Sequence, residues 1–178
     1  MTLISHNVQG KKKLVEGYIK SLKPTEIYFL QDVGQQAYNF LHKLKNINHK
    51  SQIILNRSSR NKYRSVALII GSKWQVADSF CNTTGSMIGA SLCTTDNLLH
   101  VICTYLPHSL DKIGEEKISS PTSPHQLHRE EAIQTYKDIS SWISSLPRNS
   151  QWILAGDLNE TRSNLDREGK NRKLTSLC

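Results

Sequence analysis

Trp152-Ile153-Leu154-Ala155-Gly156-Asp157-Leu158-Asn159 is the stretch on which the fold turns. An apolar strand, Trp152 to Ala155, delivers Gly-Asp-x-Asn at its C-terminal end, where open α/β sheets hold their ligand sites. Gly156 lets the backbone turn sharply. Asp157 and Asn159 stand two apart and point the same way if the extended geometry persists. A carboxylate there can accept a proton or bind a divalent ion, and an Asn amide can donate to a phosphate oxygen. An EF-hand is excluded, because Thr161 and Arg162 occupy the positions that need Asp or Asn and then Gly. Taken alone, the stretch reads first as an Asx-type turn after a strand and second as a site.

Upstream, the periodicity alternates between strand and helix. Thr2 to Val8 is short and partly apolar, and Gly10 punctuates it. Leu14, Val15, Tyr18, Ile19 and Leu22 make one helical face, which Pro24 ends. Glu26 to Leu30 is a buried-strand run, and Ala37, Phe40, Leu41 and Leu44 form a second helical stripe. Gln52 to Leu55 and Ser65 to Ile70 read as strands around a basic loop, 56–64. Trp74 to Cys81, Ser86 to Thr94 and Leu98 to Tyr105 follow as strands separated by turn residues. A Pro/Ser-rich loop from Pro107 to Ser123 ends in Ser123-Pro124-His125-Gln126, a capping-box pattern with Pro first in the helix. That helix is expected to pack with Ala132, Ile133, Tyr136, Ile139, Ile143 and Leu146, and Pro147 stops it. The order predicts one α/β domain over 1–178 with a mixed sheet.

The 178 residues carry 23 Lys plus Arg and 15 Asp plus Glu, a net +8. The first 64 residues hold 12 basic and 3 acidic side chains, and the remainder is nearly neutral. Such clustering favours an anionic partner, nucleic acid before a membrane surface, although Lys groups also simply solvate helix faces. Val66 to Ile70, the longest apolar run, is far below the ~20 residues of a membrane span. No secretory leader pattern is present at the start, so neither membrane insertion nor secretion is expected. Cys81, Cys93, Cys103 and Cys178 have no zinc or redox spacing, and the first three read as small hydrophobes in a reducing compartment. Nucleophile-elbow, Walker A, Gly-x-Gly-x-x-Gly and His-Glu-x-x-His motifs are absent.

Three further strand ends carry polar groups: Asn7, Asp32 after Phe29-Leu30-Gln31, and Tyr105 before Leu106-Pro107. The order Asn7, Leu-Gln-Asp32, Tyr105-x-Pro107 and Gly-Asp157-x-Asn159 resembles the endonuclease/exonuclease/phosphatase superfamily. The most similar branch is the endonuclease domain of LINE-type (non-LTR) retrotransposons. Ser-His-Asn-Val-Gln-Gly at 5–10, the strand Ser65 to Trp74 and Asp157-Leu-Asn-Glu-Thr-Arg-Ser-Asn-Leu-Asp-Arg167 carry that likeness. It implies a four-layer α/β sandwich of the deoxyribonuclease I-like type, incomplete at its C-terminus.

The resemblance implies in-line phosphodiester hydrolysis of DNA assisted by Mg²⁺, with Mn²⁺ as the alternative ion. Asn7 would hold the metal site or the scissile phosphate, Asp32 would ligate the metal, and Tyr105 would contact a phosphate. Asp157 would orient or deprotonate the attacking water, and Asn159 would stabilise the developing charge. Lys11, Lys12, Lys13, Arg60, Lys62 and Arg64 lie in loops able to flank the site and neutralise phosphates.

Two departures stand out. The family has Glu where this chain has Asp32, which withdraws the carboxylate by roughly 1–1.5 Å, one C–C bond. The family also ends in a Ser/Asp-His motif, whereas no His follows His128 here and 19 residues follow Asn159. The chain is therefore expected to be a fragment, a prematurely ended reading frame or a degenerate remnant, with apolar sheet surface left uncovered. A C-terminal segment or a reverse-transcriptase region of a longer polyprotein is the expected partner. The location is expected to be intracellular, nuclear for a retrotransposon product and otherwise cytoplasmic. The competing reading is a non-catalytic nucleic-acid-binding remnant; a phosphoinositide phosphatase and an unrelated α/β module rank below it.

Overall fold

The computed structural model describes residues 1–47, 51–58, 65–106 and 124–159, with 124–129 described as backbone only. The described elements are β1 (Thr2–Asn7), α1 (Lys12–Ser21), β2 (Glu26–Gln31), α2 (Gly34–Asn46), β3 (Gln52–Arg57) and β4 (Ser65–Ile70). There follow β5 (Gln75–Cys81), β6 (Met87–Cys93), β7 (Leu98–Tyr105), α3 (Pro124–Ser145) and β8 (Trp152–Asp157). They form two four-stranded sheets, ordered β1-β2-β4-β3 and β5-β6-β7-β8. β1/β2 and β7/β8 are the parallel pairs, and both use a crossover helix, α1 or α3.

Period-two alternation sorts the side chains into layers. Ile27, Phe29, Val66, Leu68 and Ile70 of the first sheet meet Ile88, Ala90, Leu92, Leu99, Val101 and Cys103 of the second, making the inter-sheet core. The opposite face of the first sheet, through Tyr28, Leu30, Ala67 and Ile69, packs on Val15, Ala37 and Leu41 of α1 and α2. Met87 and Ile102 of the second sheet pack on Ile139 and Trp142 of α3. The result is the expected four layers, helix–sheet–sheet–helix. β2 and β4 are buried on both faces, while the edge strands β1 and β8 are half-buried, and Trp152 on β8 is 46% exposed.

Three local expectations change. α3 begins at Pro124 as the Pro-first pattern predicts, though its cap lies outside the described residues, as do the 107–123 loop and the 160–178 stretch. Of its expected packing face, Ala132 and Ile139 are buried and Ile143 and Leu146 pack against the core, but Ile133 is 43% exposed and Tyr136 is exposed, while Thr135 and Trp142 are buried instead. Gly89 is the reason, because a Cβ there would lie 2.7 Å from the Trp142 ring, so the indole seats directly on the β6 backbone. Gly156 does not turn the chain. It lies inside β8, where a Cβ would sit 2.0 Å from the Thr104 carbonyl, so it permits close strand approach. Of the cysteines read as core, Cys103 is buried, Cys93 partly so, and Cys81 exposed; Cys178 lies outside the described residues.

Candidate functional site

Alternation also explains why distant polar residues meet. Leu3 of β1, Phe29 of β2, Cys103 of β7 and Ile153 of β8 belong to the inter-sheet core. Counting on by twos puts Asn7, Gln31, Tyr105 and Asp157 on those same faces, each at the C-terminal end of its strand. Both parallel pairs end together, Asn7 opposite Gln31 and Tyr105 opposite Asp157. The two sheets thus open at one end into a mouth lined by strand-terminal polar groups.

The contacts across this mouth are direct. Asn7 Nδ2 donates to Asp157 Oδ2 at 2.7 Å, joining the first sheet to the second over 150 positions of sequence. Asn7 Oδ1 accepts the Gln9 amide at 3.1 Å, so both ends of this side chain are engaged. Asp157 Oδ1 accepts the Asn159 amide at 3.1 Å, and Asn159 Nδ2 donates to the Leu106 carbonyl at 2.6 Å. The Asx turn and the site are therefore the same structure. Asn159 is not an extended continuation of β8: its φ is +48°, and the turn aims its amide at the end of β7.

Asp32 completes the group. Burial first, and then repulsion from the Asp157 carboxylate, raise its pKa. Its backbone is left-handed, φ +50°, a conformation that Asp tolerates better than most residues. The Asp32 carbonyl accepts the Gly10 amide at 2.7 Å and thereby joins the loops after β1 and β2. Those loops touch: a Cβ on Gly34 would lie 2.7 Å from Gly10 Cα, and both glycines have positive φ. Gln9, Asp32 and Asn159 are three of the four non-glycine residues with positive φ among those described, and all three ring the mouth. Among the described residues, no three His, Cys, Asp or Glu side chains gather into a cation site.

The basic residues divide. Lys11 and Lys13 are exposed at the start of α1. Lys12 is engaged, 3.1 Å from Glu16 and over the Phe40 ring. Arg60, Lys62 and Arg64 lie outside the described residues. The histidines with described side chains stand away from the mouth. His6 faces the helical layer and contacts the Tyr18 hydroxyl, His42 stacks on Tyr38, and His100 is buried beside Trp142.

Sequence reading missed a second polar cluster at the same end of the molecule. Asn82 Oδ1 accepts the amides of Ser86 and Met87, while its Nδ2 donates to Asp138 of α3 at 3.1 Å. Asn56 Nδ2 donates to the Asn82 and Met87 carbonyls, and Ser86 Oγ pairs with Thr135 at 2.6 Å. The Ser86 carbonyl accepts the Tyr105 amide at 2.9 Å and the Thr104 hydroxyl at 3.1 Å, so this cluster supports the strand that bears Tyr105. The signal available beforehand was Thr-Thr-Gly after Asn82, which marks a turn but not what the turn bonds.

Two mixed sheets facing each other, flanked by helices and open at one polar mouth, define a deoxyribonuclease I-like fold. Solved structures of that fold are similar to it. They include D. rerio TDP2 complexed with single strand DNA product (15% identity, TM-score 0.61) and the Xenopus laevis APE2 catalytic domain (16%, 0.57). Beta toxin from Staphylococcus aureus is also similar (17%, 0.53). They cover 94%, 89% and 93% of this chain, which in turn spans 64%, 58% and 68% of theirs. No protein-family model and no curated protein matches the sequence.

Proposed function

We propose that the chain is the greater part of a divalent-metal-dependent phosphodiester hydrolase domain that cuts DNA. The observation that carries this reading is the Asn7–Asp157 hydrogen bond beside Asp32, an acid pair at a mouth shared by two sheets. A repelling, partly desolvated pair of carboxylates is a hard-oxygen donor set whose electrostatic cost a cation removes, so the residues fit Mg²⁺ or Mn²⁺. Asp32 would hold the ion, with the Asn7 oxygen beside it. Once bound, the ion would polarise a phosphoryl oxygen and neutralise developing charge.

The chain's own groups supply the remaining tasks. Asn7 fixes one oxygen of Asp157, leaving that carboxylate oriented to accept a proton from attacking water. Asn159 keeps one amide N–H beyond its bond to Leu106, available for an anionic phosphate oxygen. The Tyr105 hydroxyl stands at the same strand end for a further phosphate contact. DNA as substrate is supported by the excess of basic residues in the first 64 and by the likeness to TDP2 bound to single strand DNA product. The retrotransposon assignment, with its polyprotein partner and nuclear location, rests on the 5–10, 65–74 and 157–167 similarities.

The test is nicking of supercoiled plasmid with Mg²⁺ and with EDTA. Metal-dependent nicking that disappears in Asp157→Ala supports the hydrolase; the absence of both nicking and DNA binding overturns it. Salt-sensitive binding without cleavage supports the second reading, a nucleic-acid-binding domain without turnover. That reading is favoured by one observation: His6, His42 and His100 all lie away from the mouth.

A further inference from the structure

Arg57, the last residue of β3, is held in an arrangement that none of the motifs predicts. Its guanidinium lies 5.3 Å over the Tyr38 ring, and Nη2 donates to Gln35 Oε1 at 2.5 Å. Gln35 is itself fixed, its Nε2 donating to Asn39 Oδ1 at 2.7 Å. The ion pairs among the described residues are Lys12–Glu16 and Lys23–Glu26, so no described carboxylate neutralises Arg57. A half-buried, oriented guanidinium with no described carboxylate beside it is under-satisfied in a purely structural role, since a carboxylate partner would satisfy more of its five donors. The same arrangement suits an anion that arrives from outside, because a guanidinium already held over the ring and bonded to Gln35 has lost part of the freedom that binding would cost.

Its place relative to the mouth follows from the ladder. Arg57 is opposite Ser65 of β4, and the Ser65 carbonyl accepts the amide of Val33, the residue after Asp32. Two inter-strand steps separate Arg57 from Asp32, roughly 10 Å. Arg57 therefore stands at the same end of the first sheet as the acid pair, within reach of a neighbouring phosphate of a strand that has one phosphate seated there.

We propose that Arg57 is a phosphate-binding residue that sets the path of a nucleic-acid strand away from the mouth, toward the α2 side of the first sheet. This rests on the nucleic-acid reading above and adds to it a direction and a named contact. Gln35 and Tyr38 act as positioning residues for the guanidinium.

The experiment measures anisotropy of a fluorescein-labelled oligothymidylate of about 12 nucleotides, within the usual site size. It is done in EDTA to prevent cleavage, from roughly 50 to 200 mM salt. Arg57→Gln is expected to weaken binding roughly tenfold and to reduce the log–log salt slope by about 0.7, the loss of one phosphate contact. Arg57→Lys is expected to keep the slope and recover only part of the affinity, because the charge remains while the fork is lost. Arg148→Gln, on the exposed turn before β8 at the other end of the sheets, is expected to bind as the parent does. If the parent binds with salt dependence and Arg57→Gln matches it in affinity and slope, the Arg57 assignment is overturned alone. If the parent shows no salt-dependent binding, the nucleic-acid reading falls and takes Arg57 with it. Should Arg57→Gln fail to fold by circular dichroism, Arg57→Lys decides: affinity equal to the parent overturns the proposal.

Discussion

Two polar clusters sit at the same end of this molecule, built from the same residue types but with opposite electrostatic outcomes. Around Asn82, every described contact is complementary: amide to carbonyl, hydroxyl to hydroxyl, and one carboxylate, Asp138, that accepts from Asn82 and from Gln134. Around Asn7, an amide holds Asp157 while a second carboxylate, Asp32, is pressed toward it and resists ionising. The first cluster closes on itself and stabilises. The second carries two carboxylates with no described cation paired to them and strained backbone at Gln9, Asp32 and Asn159. A local conflict that the surrounding structure tolerates marks a site, whereas a saturated network marks a support.

The comparison can be broken most sharply at Asn82. Asn82→Ala leaves the amides of Ser86 and Met87 and the Asp138 carboxylate without this partner, and should cost about 3 kcal/mol or more. Asn7→Ala, at the more open mouth, should cost no more than about 1 kcal/mol. Urea denaturation measures both, and equal losses would erase the distinction drawn here. Gly34→Ala comes next, at about 1–3 kcal/mol, because φ is +66° and the new methyl would meet Gly10. A thermal melt unchanged by that substitution would show that the two mouth loops yield easily.

Metal should act on one cluster alone. At about ten times its Kd, Mg²⁺ should stabilise the parent by about 1.4 kcal/mol, and this gain should vanish in Asp32→Asn while surviving Asp138→Asn. Calorimetric melts with and without Mg²⁺ would show it, and an equal gain in all three proteins would move the ion elsewhere. The smallest effect concerns pH. The folded-state pKa of Asp32 is raised, so the folded chain holds its proton more tightly than the unfolded chain. Stability from this group is therefore full below the unfolded carboxyl range, near pH 4, and falls as pH rises through the folded value. Asp32→Asn should melt slightly above the parent at pH 7 and together with it near pH 3. A melt below the parent at pH 7 would mean that the carboxylate is well compensated.

Much of this was legible along the chain because it is local. Ile27, Phe29 and Leu68 announce buried strands by composition, and Val15, Ala37 and Leu41 announce helical faces by spacing. Even the mouth was partly readable, since Asn7, Asp32, Tyr105 and Asp157 each follow an apolar run. The edge of the α3 face was misjudged at Ile133 and Tyr136, which look like core by hydropathy, yet Gly89 admits the Trp142 indole and turns Thr135 and Asp138 toward Asn82. Glycine at one strand position and an aromatic on a helix some 50 positions later have no shared period to detect.

The sequence by itself determined the elements, their order and the polar group each strand carries to its end. All of these follow from side-chain period and backbone preference within a few residues. Only the tertiary structure decided that Asn7 reaches Asp157, that Asp32 is pushed toward protonation, and that Arg57 lies over Tyr38 without a described counter-ion. Those facts depend on how two sheets stack and in what register. That is settled by the apolar faces of Phe29, Leu68, Ile88 and Val101 packing together, and no spacing in the linear chain encodes it.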